Sequence, residues 1–518
     1  MTPEQIEQLM QRPDTYPHPV ELPIRKIETH ISTVWLTGQY AYKIKKPVDF
    51  GFLDFTNARA RCHFCHQEVG LNRRFAPDLY EGVVGLDAGG LHPLPAMSAS
   101  DDTECVIRMR QFDPAQVLSR RIENGQLPEQ AVMDALAERL ATFHQQAEPV
   151  EEGSPWGWPE KVVEPMLDNF PVLRETFSHW QERLEKLENW TRRTLSRLRG
   201  RLARRRYTGM IRACHGDLHL DNIALIDGEA IPFDGIEFNE QFRWIDPISD
   251  LAFLLMDLDA RGLETHSHRL LQQWLFHTGD YESLPLLPFY AAYRAMVRAK
   301  ITTLRAGQLQ GEERTRTLAE VERYVALAER YAAGRTPFLI VMQGVSGSGK
   351  SHYAQRLGAR LGAIIISSDR ERKRLAGMAP HQRPTPEEAG WLYGGEMSRR
   401  TYDRLRRLAG ELLQHGWPVI LDATYLKRWH REAVMRRHDD IPTLVFSIQG
   451  DETDHAHRIT RRNQAGADPS DASVEVMRQQ LRHVEWPDED EPAYIQPAGE
   501  PIDWQAVKKV LGLPIQKA

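Results

Sequence analysis

Two short runs in this chain hold the residue types that phosphoryl chemistry needs. Gly344-Val345-Ser346-Gly347-Ser348-Gly349-Lys350-Ser351 follows the spacing Gly-x-x-x-x-Gly-Lys-Ser. Small residues there let backbone N–H groups close around phosphate oxygens, while the Lys350 ammonium reaches the terminal phosphates and the Ser351 hydroxyl reaches Mg²⁺. Earlier in the chain stands His215-Gly216-Asp217-Leu218-His219-Leu220-Asp221-Asn222. Phosphoryl transfer asks for an acceptor that orients or deprotonates a hydroxyl, for metal ligands bridging the phosphates, and for a cation on the phosphates that stay behind. Asp217 and Asn222, five residues apart on a turn that leaves the strand Ile211-Arg212-Ala213-Cys214, are of the right types.

The other parts of such a site are spread along the chain. Tyr42-Lys43-Ile44-Lys45-Lys46 presents Lys43 and Lys45 on one strand face, Glu68 lies on the helix that follows, and Ile231-Pro232-Phe233-Asp234-Gly235 ends a strand in an aspartate. In order, these residues resemble the aminoglycoside and choline kinase-like phosphotransferases, relatives of the protein kinases. The resemblance implies Asp217 as the catalytic aspartate, Asn222 and Asp234 as Mg²⁺ ligands, His215 as a buttress of the loop, and a lysine paired with Glu68 on the α- and β-phosphates. Lys43 is the first choice for that lysine, with Lys45 the alternative. Asp250 is either the family's brace for the catalytic loop or an ordinary helix N-cap. The segment Glu28-Thr29-His30-Ile31-Ser32 stands where protein kinases carry a glycine-rich loop and has no G-x-G-x-x-G.

The second run sits between an apolar strand, Phe338 to Met342, and a helix from Lys350 to Leu361, the context that a P-loop requires. P-loops serve ATPases, GTPases and small kinases, so their neighbours decide. Asp369 ends the next strand with Arg372 three residues on, and Asp422 ends another in a Walker-B-like position. Arg458, Arg461 and Arg462 share one helical face at i, i+3 and i+4. This set resembles the small P-loop kinases of the polynucleotide kinase, zeta toxin and gluconate kinase group. It implies Asp369 as the base that activates the acceptor, Arg372 as a substrate ligand and Asp422 near Mg²⁺ or the acceptor. Arg458 and Arg462 then match paired lid arginines, Arg462 being the transition-state cation, and Asp471-Ala472-Ser473 also resembles the group. A helix cap at Asp369 and a solvated basic face at the arginines are the alternatives.

These residues need two scaffolds to position them. Alternating residues from about 24 to 46 read as two antiparallel strands around Thr37-Gly38-Gln39-Tyr40, a helix follows from Asn57 to Phe75, and Val83 to Leu86 and Cys105 to Phe112 read as further strands. A loop with Gly89-Gly90 and Ser98-Ala99-Ser100 separates the last two. Helical patterns then take over at Pro128 to Gln145, Trp180 to Arg206, His268 to His277, Pro288 to Arg305 and Thr317 to Ala333. After Gly334-Arg335-Thr336-Pro337, apolar strands alternate with helices, the pattern of a buried parallel sheet. The expected fold is multidomain, α+β and α/β. A bilobal protein-kinase-like domain spans 1–334, with a small lobe to about 113 and a helical lobe from 114, and a P-loop NTPase domain spans 335–518.

A chain of 518 residues exceeds a single core. Its net charge of −6 argues against wholesale attachment to nucleic acid or anionic membrane. The start lacks a signal-peptide pattern, no apolar run is long enough to cross a bilayer, and four cysteines are too few for a disulfide framework. A cytoplasmic location is expected. Cys62-His63-Phe64-Cys65-His66 offers zinc-type ligands, but no second pair follows, so a helix with Cys62 and Cys65 packed one turn apart is expected instead. The acidic stretch Glu485 to Glu491 is expected on the surface. The arginines from Arg192 to Arg206 either face the cleft, where a polycationic acceptor would be repelled, or alternate with Glu182, Glu185 and Glu188 on a solvated face.

The expected function is an enzyme with two ATP- and Mg²⁺-dependent kinase domains, each passing the γ-phosphate to a hydroxyl of a small-molecule or nucleotide acceptor. Two alternatives stand beside it. In one, the C-terminal domain phosphorylates an RNA or DNA 5′-hydroxyl, with Arg370, Lys373, Arg399 and their neighbours tracking phosphates, although no aromatic stacking platform is evident in the sequence. In the other, one domain senses ATP and regulates its neighbour. The sequence names neither acceptor, and it sets no oligomeric state.

Overall fold

Tyr40–Lys45 has apolar residues on both of its faces, so it must be covered twice. In the computed structural model, which describes residues 1–49, 51, 53–94, 103–380, 382–438, 440–465 and 472–514, it is. Tyr42 and Ile44 pack with Met10, Tyr16 and Trp35 on one side, while Ala41 packs with Cys65 and Val69 of the helix Ala58–Asn72 on the other. The strands β1 (Arg25–Glu28), β2 (Ser32–Leu36), β3 (Tyr40–Lys45), β4 (Tyr80–Asp87), β5 (Gly90–Pro93) and β6 (Glu104–Arg110) form one sheet in the order β1-β2-β3-β6-β4-β5. Residues 24–46 thus hold three strands rather than two, because the Thr29 N–H donates to the Ser32 carbonyl and turns the chain once more. Ser98 to Ser100 lie outside the described residues.

The helical lobe carries two short ribbons. One pairs β7 (Arg212–Ala213) with β10 (Trp244–Ile245), and the other pairs β8 (Ile223–Ile226) with β9 (Glu229–Pro232). Around them lie the helices Gln130–Gln146, Pro159–Leu167, Gln181–Tyr207, Pro247–Ala260 and Leu287–Ala306. The arginine-rich helix is pinned through its own side chains. Arg205 forms a buried ion pair with Asp246, Arg206 donates to the carbonyls of Glu151 and Glu152, and Arg192 pairs with Glu188.

The P-loop fold is a five-stranded parallel sheet, β11 (Leu339–Gln343), β12 (Ile364–Ser367), β13 (Val419–Asp422), β14 (Thr443–Gln449) and β15 (Ala493–Pro497), in the order β12-β13-β11-β14-β15. Leu339, Ile340, Val341 and Met342 are fully buried, as a central parallel strand covered on both faces demands. The final strand, β15, has no strong sequence pattern.

The chain divides into two compact units, Met1–Leu263 with Phe289–Glu329, and Glu264–Pro288 with Arg330–Ala518. The second unit therefore draws on a stretch that lies before position 334. The physical reason is the sheet edge. β12 has no strand partner on its outer side, and an edge leaves N–H and C=O groups unpaired. Gln272, on the helix Glu264–Thr278, supplies both missing bonds: its Oε1 accepts from the Ile365 N–H at 2.8 Å and its Nε2 donates to the Ile365 carbonyl at 3.0 Å. His268 Nε2 donates to the Ala363 carbonyl at 2.9 Å, Phe276 enters the sheet's apolar core, and the Trp417 indole donates to the Leu284 carbonyl.

Two details differ from the sequence reading. Cys62 is joined to Cys105 by a disulfide, linking the 58–72 helix to β6, while Cys65 and Cys214 are free thiols. Residues 43 positions apart meet because that helix lies across the sheet, which cysteine spacing along the chain does not reveal. The acidic stretch is partly interior: Glu491 is buried in a two-pronged pair with Arg431 at 2.6 and 2.7 Å, and Asp488 and Asp490 pair with Arg428. No helix among the described residues is long and apolar enough to cross a membrane. Gln272→Leu leaves two buried groups of β12 unpaired and is expected to cost about 2–4 kcal/mol. Urea unfolding read by amide exchange at Ile365 checks this, since an unchanged exchange rate would show that the side chain does not secure the edge.

Candidate active sites

In the first unit, β3 places Lys43 and Lys45 two residues apart, both pointing at the 58–72 helix. Lys43 Nζ donates to Glu68 Oε1 at 2.8 Å and to Asp234, and Lys45 Nζ donates to Glu68 Oε2 at 2.7 Å and to Glu237. Both lysines and both glutamates are buried, and an ionised group taken out of water costs several kcal/mol unless it is paired. Burial works against the Lys43 ammonium, but Asp234 and Glu68 outweigh it and hold its pKa well above the ordinary lysine value. Glu68, opposed by burial and favoured by two ammonium groups, is held below the usual carboxylate range. Burial pushes Glu237 upward against the pull of Lys45. Both candidate lysines touch Glu68; Lys43 also reaches Asp234, and Lys45 reaches Glu237.

Asp234 sits on a sharp turn with φ of 61°, where a non-glycine residue is strained. Its N–H donates to the Tyr80 hydroxyl at 3.0 Å, and the next N–H, of Gly235, donates to Asn72 Oδ1 at 2.8 Å. Asn72 Nδ2 donates in turn to the Glu68 carbonyl, so turn and helix are tied together.

The catalytic-loop candidate is held by its own backbone donors. Asp250 is fully buried and accepts from the N–H groups of His215, at 3.0 Å, and Gly216, at 2.9 Å. Asp246 occupies the N-cap of that helix, so Asp250 is a brace and not a cap. Asp257, about two turns further on, accepts from the Leu220 N–H at 3.0 Å. His215 Nε2 donates to the Phe233 carbonyl at 2.9 Å, which leaves Nδ1 to accept from the Asp217 N–H, and burial lowers its pKa to match that neutral form. Asn222 Nδ2 donates to Asp217 Oδ2 at 3.0 Å, and His219 Nε2 faces the same oxygen at 3.2 Å. Burial disfavours the charged form of either Asp217 or His219, yet their attraction prevails: the aspartate is held low and the imidazole high.

In the second unit the loop from Gly344 to Gly349 joins β11 to the helix Lys350–Leu361. Gly347 (φ 81°) and Gly349 (φ 95°) adopt backbone that side chains rarely take, and a Cβ on Gly347 would stand 2.5 Å from the His455 carbonyl. Lys350 Nζ spans the loop to the Val345 carbonyl at 2.9 Å, Arg458 donates to the Ser348 carbonyl at 3.4 Å, and Gln480 Oε1 accepts from the Ser346 N–H at 2.7 Å. The Ser348 hydroxyl is buried with no hydrogen-bond partner. Ser351 is exposed at the start of the helix.

Asp369 lies just past β12 and Asp422 closes β13, whose register pairs Ser367 with Asp422. Both carboxylates therefore stand at the carboxyl ends of neighbouring strands, beside the strand that feeds the P-loop, where open α/β sheets bind ligands. Ser367, not Asp369, is the N-cap of the helix Ser368–Leu375. Arg372 is buried, donates to the Leu392 carbonyl and to Ser398 Oγ at 3.1 Å each, and keeps a buried Nε without a partner. Arg462 falls within the helix Glu452–Ala465, but its side chain, like Asp471, is outside the described residues.

The sequence reading passed over Glu237, His219 and Gln480. His219 lies inside the quoted run and is marked by its spacing of two from Asp217, whereas Gln480 carries no motif at all. Aromatic residues were underestimated too. Trp391, Tyr393 and Trp429 are exposed, the Tyr393 ring lies 5.2 Å from the Arg372 guanidinium, and His430 stacks on Tyr402 and meets Trp429 at a tilt.

Residues 85–287 match the Phosphotransferase enzyme family, and residues 339–487 match the family described as AAA domain. The Uncharacterized protein Rv2004c of Mycobacterium tuberculosis (strain ATCC 25618 / H37Rv) is 32% identical over 462 residues, covering 87% of this chain and 88% of its own. The Uncharacterized protein Mb2027c of Mycobacterium bovis matches at the same identity and coverage. Among solved structures, a gluconokinase from Sinorhizobium meliloti 1021 is 22% identical, covering 34% of this chain and 91% of its own with a TM-score of 0.23. A choline/ethanolamine kinase family protein from Mesorhizobium loti is 14% identical, covering 63% and 99%, with a TM-score of 0.35.

The raised His219 pKa is stabilising below the ordinary imidazole value and its contribution is lost as pH rises through the folded-state value. NMR titration is expected to place His219 above an unperturbed histidine, and Asp217→Asn to drop it below one, since burial and Arg298 then outweigh the attraction of Asp221, 3.5 Å from the ring. An unshifted His219 in that variant would remove the ion pair from the account.

Proposed function

The chain belongs to the family of those mycobacterial proteins and is a kinase built from two kinase-type domains; from that premise we propose that each domain binds ATP with Mg²⁺ and phosphorylates a hydroxyl of its own acceptor. The first catalytic domain lies within 1–334 and the second within 335–518, with 264–288 bracing the sheet of the second. The single observation that carries the reading is the meeting of Lys43 with Glu68 and Asp234, 25 and 191 residues away in sequence, in the same unit as the bonded pair Asp217 and Asn222.

The residues suit the groups they would hold. Carboxylate and amide oxygens at Asp234 and Asn222, and hydroxyl and carboxylate oxygens at Ser351 and Asp422, are hard donors of the kind Mg²⁺ takes. The narrow turn at Gly344, Gly347 and Gly349, with Ser346 and Ser348 between them, suits a phosphate chain. Bound Mg-ATP supplies the transferable phosphoryl group and neutralises charge on its phosphates. In the first domain, Asp217 stays ionised beside His219 and receives the proton of the acceptor hydroxyl, while Glu68 orients Lys43 toward the phosphates that are not transferred. In the second, Asp369 takes that proton, Arg372 positions the acceptor, and Lys350, Arg458 and Arg462 gather charge around the loop.

A base-bearing acceptor at the second domain is a further reading, favoured by the exposed Trp391, Tyr393 and Trp429, of which Tyr393 faces Arg372. Oligonucleotide binding that weakens steeply with salt would support it, and salt-independent binding would count against it.

Labelled-phosphate transfer from ATP into a combined metabolite and RNA extract tests the main proposal. Asp217→Ala and Lys350→Ala are each expected to reduce a different labelled product by about 100-fold or more. Loss of one shared product in both variants, or Lys350→Ala changing only the rate of the Asp217-dependent product, would instead make one domain a regulator of the other.

A further inference from the structure

We infer that Lys45 and Glu237 form a positioning pair in the first domain: they hold the second oxygen of Glu68 in place, so that Lys43 alone is available to nucleotide phosphates. The inference rests on the phosphotransferase reading of that domain and goes beyond it by giving the two lysines different tasks.

Exposure separates them. Their side chains leave β3 two residues apart, on one face of the strand, and both end on Glu68. The Lys43 side chain is 9% exposed and its second partner, Asp234, is 41% exposed, whereas Lys45 is 1% exposed and its second partner, Glu237, 4%. The cluster therefore grades from dry at Lys45 to wet at Asp234, and a ligand arriving from solvent meets the Lys43 end. The fully buried ring of Phe55, 5.0 Å from the Lys45 ammonium, closes off that lysine further. To reach a phosphate, Lys45 would have to strand two buried carboxylates, at a cost of several kcal/mol.

Charge balance points the same way. Three carboxylates, Glu68, Asp234 and Glu237, face two ammonium groups, and one negative charge is left over. Only at Asp234 does water screen the excess. An Asp234 engaged in metal binding leaves Lys43 a donor to spare, while Glu68 stays fixed because Lys45 still holds its other oxygen.

Glu237 is in turn anchored to the catalytic loop. The N–H of Ile236, the residue before it, donates to the carbonyl of His215, two positions ahead of Asp217, at 2.9 Å. The Glu237 carbonyl accepts from Arg243 at 3.4 Å, and the ring of Phe238, the residue after it, meets Phe55 edge to face at 6.3 Å. Lys45 thus sets Glu68 against the segment that leads back to Asp217. A buried ion pair exchanged for apolar side chains of similar volume is often neutral for stability. A pair that only held the fold together could be exchanged in this way without harm to the site; a positioning pair could not.

The test uses the full chain with Mg²⁺ and an acyl phosphate of ATP, acylated lysines being located by peptide mass spectrometry. A lysine beside the phosphates attacks the acyl carbon: the nitrogen–carbon bond forms, the bond from that carbon to the phosphate oxygen breaks, ATP leaves and the amine proton passes to water. Label is expected on Lys43 and not on Lys45, with Lys350 of the second domain as the internal standard. Lys45→Met/Glu237→Leu is expected to keep the wild-type urea midpoint and to lower the Lys43 label about tenfold. Glu237→Gln, of nearly the same shape as the wild type, covers a double variant that does not fold, and is expected to lower the Lys43 label about threefold. Label on Lys45 in the wild type, or a Lys43 yield unchanged in the folded double variant or in Glu237→Gln, overturns the inference while leaving the kinase reading intact. Absence of label from both β3 lysines overturns the ATP-binding reading of this domain, and the inference falls with it.

Discussion

An ionised side chain removed from water must find its opposite charge inside the protein, and much of this molecule is arranged around that requirement. Two ammonium groups on β3 share the carboxylate of Glu68, and each takes a second carboxylate from the segment after β9. The lattice ties the small sheet, its helix and the turn at Asp234 into one object, because moving any member strands a buried charge. In the second unit, Arg431 and Glu491 play the same part, drawing an acidic segment inward to a position where Arg431 also donates to the carbonyls of Tyr425 and Glu485.

Backbone donors obey a gentler form of the same rule. The turn from His215 to Asn222 is too tight to satisfy its own N–H groups, so aspartates on the Pro247–Ala260 helix collect them. The helix thereby fixes where Asp217 projects without touching its carboxylate. Division of labour of this kind leaves the reactive group with polar partners of its own, His219 and Asn222, that can tune it.

Legibility in the sequence followed distance. The P-loop is local, and its strand, glycine turn and helix appear where the residues predicted them, the helix spanning Lys350–Leu361 as read. The kinase-like residues Lys43, Glu68, Asp217, Asn222 and Asp234 are scattered, yet their order along the chain was enough to suggest them, and all five share direct hydrogen bonds in two groups. Asp250 could not be resolved from sequence, since brace and cap both call for an aspartate at the start of a helix; only the partners distinguish them. Glu237 escaped because nothing local says that Lys45 will be buried and need it. Gln272 escaped for a similar reason, being an unremarkable polar residue until a sheet edge is laid against it. The Cys62–Cys105 bond depends on a helix crossing a strand, which spacing does not encode.

The helix that carries Gln272 also has a place in time. It precedes Ile365 by 93 residues, so a ribosome adding about 5–20 residues per second releases it roughly 5–20 s before the strand it covers. This edge strand of the parallel sheet thus emerges into a chain that already holds its partner side chain. Parallel sheets are slow to assemble and vulnerable while their edges wait. Here the waiting falls to a polar helix face rather than to a bare row of peptide groups.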